Sequence, residues 1–233
     1  MRIKIKQNYC KVFSKQELLF IAALCGKWDC LAITDEIYEH IIYDGVRHYS
    51  IAGMPGMRER TVTINSISKT YSVTGWRVGW AIAPAAITKR IRKVHDFLTV
   101  GAPTPFQHAA AFALRLPLRY YENLQKRYAI SRSRLFGILT EAGFDPILPK
   151  GAYYIMAEAD DVMERLSVAN DFDLSRKLIE ITKVATVPGS SFYSGHKKRG
   201  NNQVRFCFCK SADTLDNVEK QFAILRKGSH RRL

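Results

Sequence analysis

The chain has 233 residues, 47% of them hydrophobic, which is enough for one or two packed domains. Its net charge is +15, which permits an anionic partner, but only residues 197–199 and the tail 226–233 are densely basic. Both read as solvated loop or terminus, so no nucleic-acid partner is expected. No stretch approaches the roughly 18 apolar residues of a membrane span, and the start MRIKIKQNYCKVF has no apolar run of signal-peptide length, so the sequence predicts a soluble, cytoplasmic protein with no membrane partner.

The first clear element is S-K-Q-E-L-L-F-I-A-A-L-C, 14–25. Ser14 followed by Glu17 is a capping box, so a helix starts there. C-L-A-I-T, 30–34, is a short continuous apolar run and suits a parallel strand buried on both faces. T-V-T-I-N (61–65) and V-G-W-A-I-A (78–83) predict two more strands. In P-A-A-I-T-K-R-I-R-K-V-H-D-F-L, Ile87, Ile91, Val94 and Leu98 recur at helical spacing and predict one buried stripe. A helix over about 105–115 follows, then Pro117. A long helix then runs to Gly143, with Tyr121, Leu124, Tyr128, Leu135 and Leu139 on its apolar side.

The remainder alternates: strand 152–157, helix around 173–182, strand V-A-T-V (184–187), strand Q-V-R-F-C-F (203–208) and helix 213–226. In the last helix Leu215, Val218, Phe222 and Leu225 form the apolar stripe. Helices alternating with apolar strands define an α/β class. Pro117 is the expected boundary, dividing a mainly parallel-sheet part (1–117) from a smaller α+β part (118–233).

Five cysteines are present, an odd count with no C-x-x-C pair, which argues against a disulfide framework and against a metal site. Cys207 and Cys209 alternate onto the same strand face as Arg205 and read as small strand residues.

Ligands in open α/β sheets bind beyond the carboxyl ends of the strands. Two segments hold that position: D-E-I-Y, 35–38, after C-L-A-I-T, and S-I-S-K, 66–69, after T-V-T-I-N. Desolvation favours the neutral amine of a lysine, and neutral amine is what condensation with an aldehyde cofactor requires. Ser66 and Ser68 place hydroxyls beside Lys69. Arg77 brings a two-pronged donor suited to phosphate. Gly75 and Gly79 flank it and allow close backbone approach. On spacing alone, a turn with an incidental lysine and a salt-bridged arginine also accounts for the segment.

S-I-S-K-T-Y-S-V-T-G-W-R-V-G-W, with Ser66, Lys69, Gly75, Arg77 and Gly79 in step, resembles the cofactor-lysine signature of the class I/II aminotransferases. The resemblance implies a pyridoxal-phosphate-dependent transferase of fold type I. Residues 1–117 would be the C-terminal part of the large cofactor-binding domain, and 118–233 the small C-terminal domain. It implies that Lys69 holds pyridoxal 5'-phosphate and shuttles the proton, and that Ser66 and Arg77 bind the phosphate. D-E-x-Y is similar to the family's segment after the preceding strand, 34 residues before the lysine. By that likeness Asp35 pairs with the protonated ring nitrogen and Tyr38 with the ring's phenolic oxygen.

P-K-G-A-Y-Y-I-M (149–156) and V-P-G-S-S-F (187–192) resemble small-domain segments of the same family. N-Q-V-R-F-C-F (202–208) resembles the strand whose arginine, here Arg205, clamps the substrate α-carboxylate. K-V-H-D-F-L-T-V-G-A-P (93–103) is similar to the kynurenine/glutamine and prokaryotic aspartate branch.

The implied activity is transfer of an amino group between an L-amino acid and a 2-oxo acid, in a homodimer. A lyase on the same fold and cofactor, and a non-catalytic or split-enzyme fragment, are the alternatives. The start departs from the family pattern: I-K-Q-N-Y-C stands where N-P-x-N-P-T-G is usual, and no counterpart of the N-terminal phosphate cradle precedes it. The expectation is therefore a chain truncated at its N-terminus, with part of the site lacking.

Overall fold

The computed structural model describes residues 11–194 and 199–226, and the backbone of residues 2–5. Part of the basic run at 197–199, most of the basic tail, Cys10 and the segment aligned with the family's N-P-x-N-P-T-G lie outside the described residues. The chain divides into two compact units, Met1–Gln125 and Lys126–Leu233.

The first unit is built on a four-stranded sheet. Strands β1 (Arg2–Ile5), β2 (Leu31–Asp35) and β3 (Thr61–Ser66) run parallel, and β4 (Gly79–Ile82) closes antiparallel on β3. The order follows the chain, β1-β2-β3-β4. Helix α1 (Lys15–Lys27) starts at the predicted box: Glu17 N–H donates to Ser14 Oγ and Ser14 N–H donates to the Glu17 carboxylate. Leu18, Ala22 and Cys25 of α1 then pack on Cys30, Ala32, Ile51, Met54 and Met57. Burial along β2 alternates, however, with Leu31 and Asp35 exposed. Among the described residues the apolar run C-L-A-I-T is covered on one face and not on both, because α1 and the Ile51–Met57 turns lie on a single side.

Helix α2 (Ala85–Leu98) forms where predicted, but none of its residues is buried. The expected buried stripe is not realised: Val94 is 58% and Leu98 78% exposed. The periodicity correctly marks an apolar face, but no element among the described residues encloses it. Helix α3 (Thr104–Ala113) follows, and α4 (Leu118–Ala142) crosses the division between the units. Leu124, Tyr128, Leu135 and Leu139 of α4 are buried as the stripe requires.

The second unit carries a wholly antiparallel sheet, order β5-β6-β8-β7. Its strands are β5 (Asp145–Ile147), β6 (Tyr154–Glu158), β7 (Val187–Pro188) and β8 (Gln203–Cys207). Helices α5 (Asp160–Leu166), α6 (Asp171–Thr182) and α7 (Ala212–Phe222) complete it. Phe144, Phe206 and Phe222 meet with ring centroids 5.2–6.0 Å apart and form its aromatic centre.

The predicted strand V-A-T-V shrinks to Val187–Pro188. Lys183 ends α6 in the left-handed region, and the Thr182 hydroxyl takes the Val184 N–H, so the ladder begins late. In V-P-G-S-S-F a Cβ on Gly189 would lie 2.5 Å from the Gln203 carbonyl oxygen, so only glycine fits. The buried Asp171 carboxylate accepts the Ser190 N–H at 2.7 Å and ties this turn to the start of α6.

Candidate active site

The lysine-bearing loop is pinned at its base. It leaves β3 after Ser66 and re-enters the sheet at Gly79, its register partner. Ile67 N–H donates to the Val78 carbonyl, and both side chains bury against Ala110, with Phe106 and Trp80 packed around them. Trp76 stacks on Phe106 at 4.7 Å. With the apolar residues turned into this small core, the polar ones are left for the other side. A Cβ on Gly79 would sit 2.8 Å from the Asn65 carbonyl oxygen, so glycine is required where β4 meets β3. At Gly75 a Cβ would meet nothing within 4 Å, so no close approach inside the chain demands that glycine.

The loop's interior is held by hydrogen bonds. Thr74 Oγ1 donates to the Ser68 carbonyl at 2.9 Å, and an Arg77 guanidinium N–H donates to the Thr74 carbonyl at 3.0 Å. Ser68 N–H donates to Ser66 Oγ at 3.1 Å. Arg77 occupies the left-handed region at φ 57°, a costly conformation for a non-glycine residue. The first turn of α4 clamps the outer end: the Tyr120 hydroxyl donates to the Thr70 carbonyl, and Tyr71 and Tyr121 share a 2.7 Å hydroxyl contact. Burial and that contact push the Tyr71 phenol well above its ordinary range.

Asp35 ends β2 opposite Ile64 of β3, exposed, and caps its own turn by accepting the Ile37 N–H. Behind it lies a feature the sequence reading missed. Glu36 is buried, and its carboxylate accepts hydrogen bonds from Thr34 Oγ1, Ser50 Oγ and His48 Nε2, each at 2.9 Å. Burial alone would raise the Glu36 pKa. The hydrogen bonds from His48 and Ser50, the His48 charge and the Thr34 bond outweigh it and hold the carboxyl below 4.5. Asn65 Nδ2 reaches Glu39 at 2.6 Å from the adjoining strand. The turn carrying Asp35 is thus braced from beneath. Apart from Thr34, the partners lie 12 to 26 residues away in sequence, so no local pattern announces them.

Asp35, Ser66, Lys69 and Arg77 come together. They line one open pocket of about 530 Å³ beyond the carboxyl ends of β2 and β3, together with Asn65, Thr74 and His95. One carboxylate, one hydroxyl, one amine and one guanidinium therefore face a common volume of ordinary ligand size. Tyr38, half-buried in the turn after Asp35, is not among the lining residues. The sequence reading did not single out His95 or Thr74. Neither stands in a pattern that distinguishes it from a helix or loop residue.

Arg205 belongs to the second unit. Its guanidinium lies between the Tyr154 ring (4.9 Å) and the Phe192 ring (4.7 Å). Flat aromatic faces on both sides fix the plane of the guanidinium.

The model for "Aminotransferase class I and II" matches residues 9–222. The kynurenine–oxoglutarate transaminase of Dictyostelium discoideum is 38% identical over 93% of this chain and 54% of its own length. Kynurenine–oxoglutarate transaminase 3 of Mus musculus is 38% identical over 91% of this chain and 50% of its own. Among solved structures, N-succinyldiaminopimelate aminotransferase from Mycobacterium tuberculosis superposes with a TM-score of 0.88 at 34% identity, covering 96% of this chain and 58% of that one. The aromatic aminotransferase of Pyrococcus horikoshii gives 0.83 at 33% identity, covering 95% and 58%. The chain spans about half the length of the curated relatives it matches. Its fold is that of the type I pyridoxal-phosphate enzymes, and the chain belongs to the class I and II aminotransferase family.

Proposed function

We propose that this chain acts in transfer of an amino group between an L-amino acid and a 2-oxo acid, using pyridoxal 5'-phosphate, the cofactor of its family. The reading rests above all on Asp35, Ser66, Lys69 and Arg77 lining one pocket. Their chemistry fits the cofactor: an amine for its aldehyde, a guanidinium and a hydroxyl for its phosphate, a carboxylate for its protonated ring nitrogen.

When bound, the cofactor supplies an aldehyde and a ring that takes up electron density from the substrate α-carbon. Lys69 Nζ would hold the cofactor and, once released from it, would accept the substrate Cα proton and pass it on. Asp35 keeps the proton on the ring nitrogen. Tyr38 would meet the phenolic oxygen by the family likeness alone, since it does not line the pocket. Arg77 and Ser66 hold the phosphate. Arg205 pairs with the substrate α-carboxylate through its two parallel N–H groups. Residues 1–117 are assigned to the large cofactor-binding domain and 118–233 to the small domain. The names of the relatives make kynurenine and oxoglutarate the first pair to assay.

A second reading is that the chain supplies part of a shared or split site. It is favoured by the bare apolar stripe of α2 and by the openness of the lysine pocket. A homodimer, in the cytoplasm, is the working form we propose, with the α2 face covered in it. Sedimentation with and without cofactor tests that form: a monomer in both conditions removes it.

Titration of the chain with pyridoxal 5'-phosphate, followed by absorbance, tests the assignment. A visible band that saturates, and is lost in Lys69→Ala, is expected. An unchanged band in that variant overturns it. Product analysis then separates transfer from a lyase. Oxo acid with the amine retained on the cofactor supports transfer, and free ammonia contradicts it.

A further inference from the structure

Two ties hold the Lys69 loop to the turn that carries Asp35, one on each side of the lysine. The first is at the base. Asn65 Oδ1 accepts the Ser66 N–H at 2.7 Å, and Asn65 Nδ2 donates to the Glu39 carboxylate at 2.6 Å. The second is at the outer end and runs through the first turn of α4. Tyr71 and Tyr121 share their 2.7 Å hydroxyl contact, and the Tyr121 ring lies 4.3 Å from the His40 ring. His40 is next to Glu39: its Nε2 lies 3.5 Å from that carboxylate, and its carbonyl accepts a hydrogen bond from Gln125 Nε2 at 3.2 Å. Lys69 stands between the ties, four residues after Asn65 and two before Tyr71.

The two ties constrain different motions. A loop held at its base alone swings about that base. The bonds inside the loop, Thr74 to Ser68 and Arg77 to Thr74, fix its shape but not its setting against Asp35. At the outer end Tyr71 stacks on Tyr120 at 5.6 Å, and Tyr120 meets Tyr121 edge-on at 5.4 Å. Aromatic contacts tolerate sliding, whereas a hydrogen bond weakens steeply with distance and angle. The Tyr71–Tyr121 contact therefore sets the register of the three rings. The Tyr120 hydroxyl, on the buried Thr70 carbonyl, holds the backbone beside the lysine.

We infer that Tyr71 and Tyr121 are positioning residues for Lys69: their hydroxyl contact, carried on to the Asp35 turn through His40, sets the lysine amine where it meets the aldehyde of pyridoxal 5'-phosphate. This rests on the cofactor chemistry proposed above. Neither tyrosine lines the pocket, so both act through the loop and the turn. With the contact removed, the amine is in place in only a fraction of the chains, and the apparent affinity for the cofactor falls by that fraction.

Tyr71→Phe and Tyr121→Phe each remove one oxygen and keep the ring. In either variant the dissociation constant for pyridoxal 5'-phosphate, read from the saturable visible band, is expected to rise about three- to ten-fold, as for one lost hydrogen bond. The circular dichroism of that band, which reports how the cofactor sits in the site, is expected to weaken. The double variant is expected to bind no worse than the weaker single, because the two hydroxyls make one contact. In the cofactor-free chain, peptides spanning 66–77 are expected to exchange hydrogen faster in both variants.

A role in stability alone would lower the urea midpoint and leave the dissociation constant and the dichroism of the folded variants unchanged. That result overturns the inference, as do losses that multiply in the double variant or unchanged exchange over 66–77. An unsubstituted chain with no saturable band removes the cofactor reading and this inference with it. A band present there and undisturbed in the variants overturns the inference alone. Where one single variant fails to fold, the other removes the same contact from its opposite side and decides the matter.

Discussion

Two amphipathic helices with closely similar apolar spacing meet opposite fates in the two units. In α7 and the turn after it, Leu215, Phe222 and Leu225 are buried to 2% exposure or less. In α2, Val94, Phe97 and Leu98 are 58%, 93% and 78% exposed. Periodicity says that a helix has an apolar face. It does not say what covers that face, because the cover is a tertiary or quaternary event. The second unit encloses its stripe against an antiparallel sheet and a phenylalanine cluster. The first unit spends its packing on a different task, which is holding the lysine loop over the strand ends.

The largest expected effect tests the enclosed side. Phe222→Ala removes one ring of the Phe144–Phe206–Phe222 cluster and is expected to cost about 3–5 kcal/mol of stability in urea unfolding. Phe97→Ala, on the face left bare in the single chain, is expected to stay within about 0.5 kcal/mol when measured at protein concentrations that keep the chain monomeric. Equal losses would mean that α2 is enclosed in solution by something with the order of a protein core, and the contrast would fall.

A smaller effect is expected in the lysine loop. Gly79→Ala forces a methyl against the Asn65 backbone, and overpacking of this kind costs about 1–3 kcal/mol. It is also expected to weaken pyridoxal 5'-phosphate binding, because the loop carrying Lys69 re-enters the sheet there. Gly75→Ala meets open space and is expected to leave stability nearly unchanged. Urea midpoints of the two variants measure the difference, and a reversed order would remove the close-approach argument.

The smallest effect concerns acid. The Glu36 carboxyl is held below 4.5 by its hydrogen-bond donors, so the unfolded state binds a proton more readily than the folded one. Its contribution to stability is complete above 4.5 and is lost as pH falls through the lower, folded value. Glu36→Gln is therefore expected to lower stability at neutral pH and to flatten its decline in that acid window. A chain whose acid limb is as steep with glutamine as with glutamate contradicts this account of the brace beneath Asp35.

Legibility in the sequence followed locality. The Ser14–Glu17 box was readable because both partners lie in one turn. The segment from Ser66 to Arg77 was readable because its spacing is itself the motif, and the pocket does gather Ser66, Lys69 and Arg77 with Asp35. The Glu36–Ser50–His48 brace was not readable, since its donors arrive through turns that no short pattern specifies. Nor was the ring pair around Arg205, which joins β6, β8 and the turn after β7. The antiparallel direction of β4 also escaped the reading. It is set by the tight return of the lysine loop onto Ser66, which the apolar run Val78–Ala83 does not encode. Cys207 was legible as a strand residue, whereas Cys209 lies beyond the end of β8.

Lys69 is assigned as the residue that holds the cofactor, and chemical trapping tests that assignment. The chain is saturated with pyridoxal 5'-phosphate, treated with borohydride and mapped by peptide mass. A phosphopyridoxyl group fixed on Lys69, in preference to the exposed lysines, is expected, with no saturable site in Lys69→Ala. Label spread over the surface lysines, with Lys69 unmodified, would contradict it.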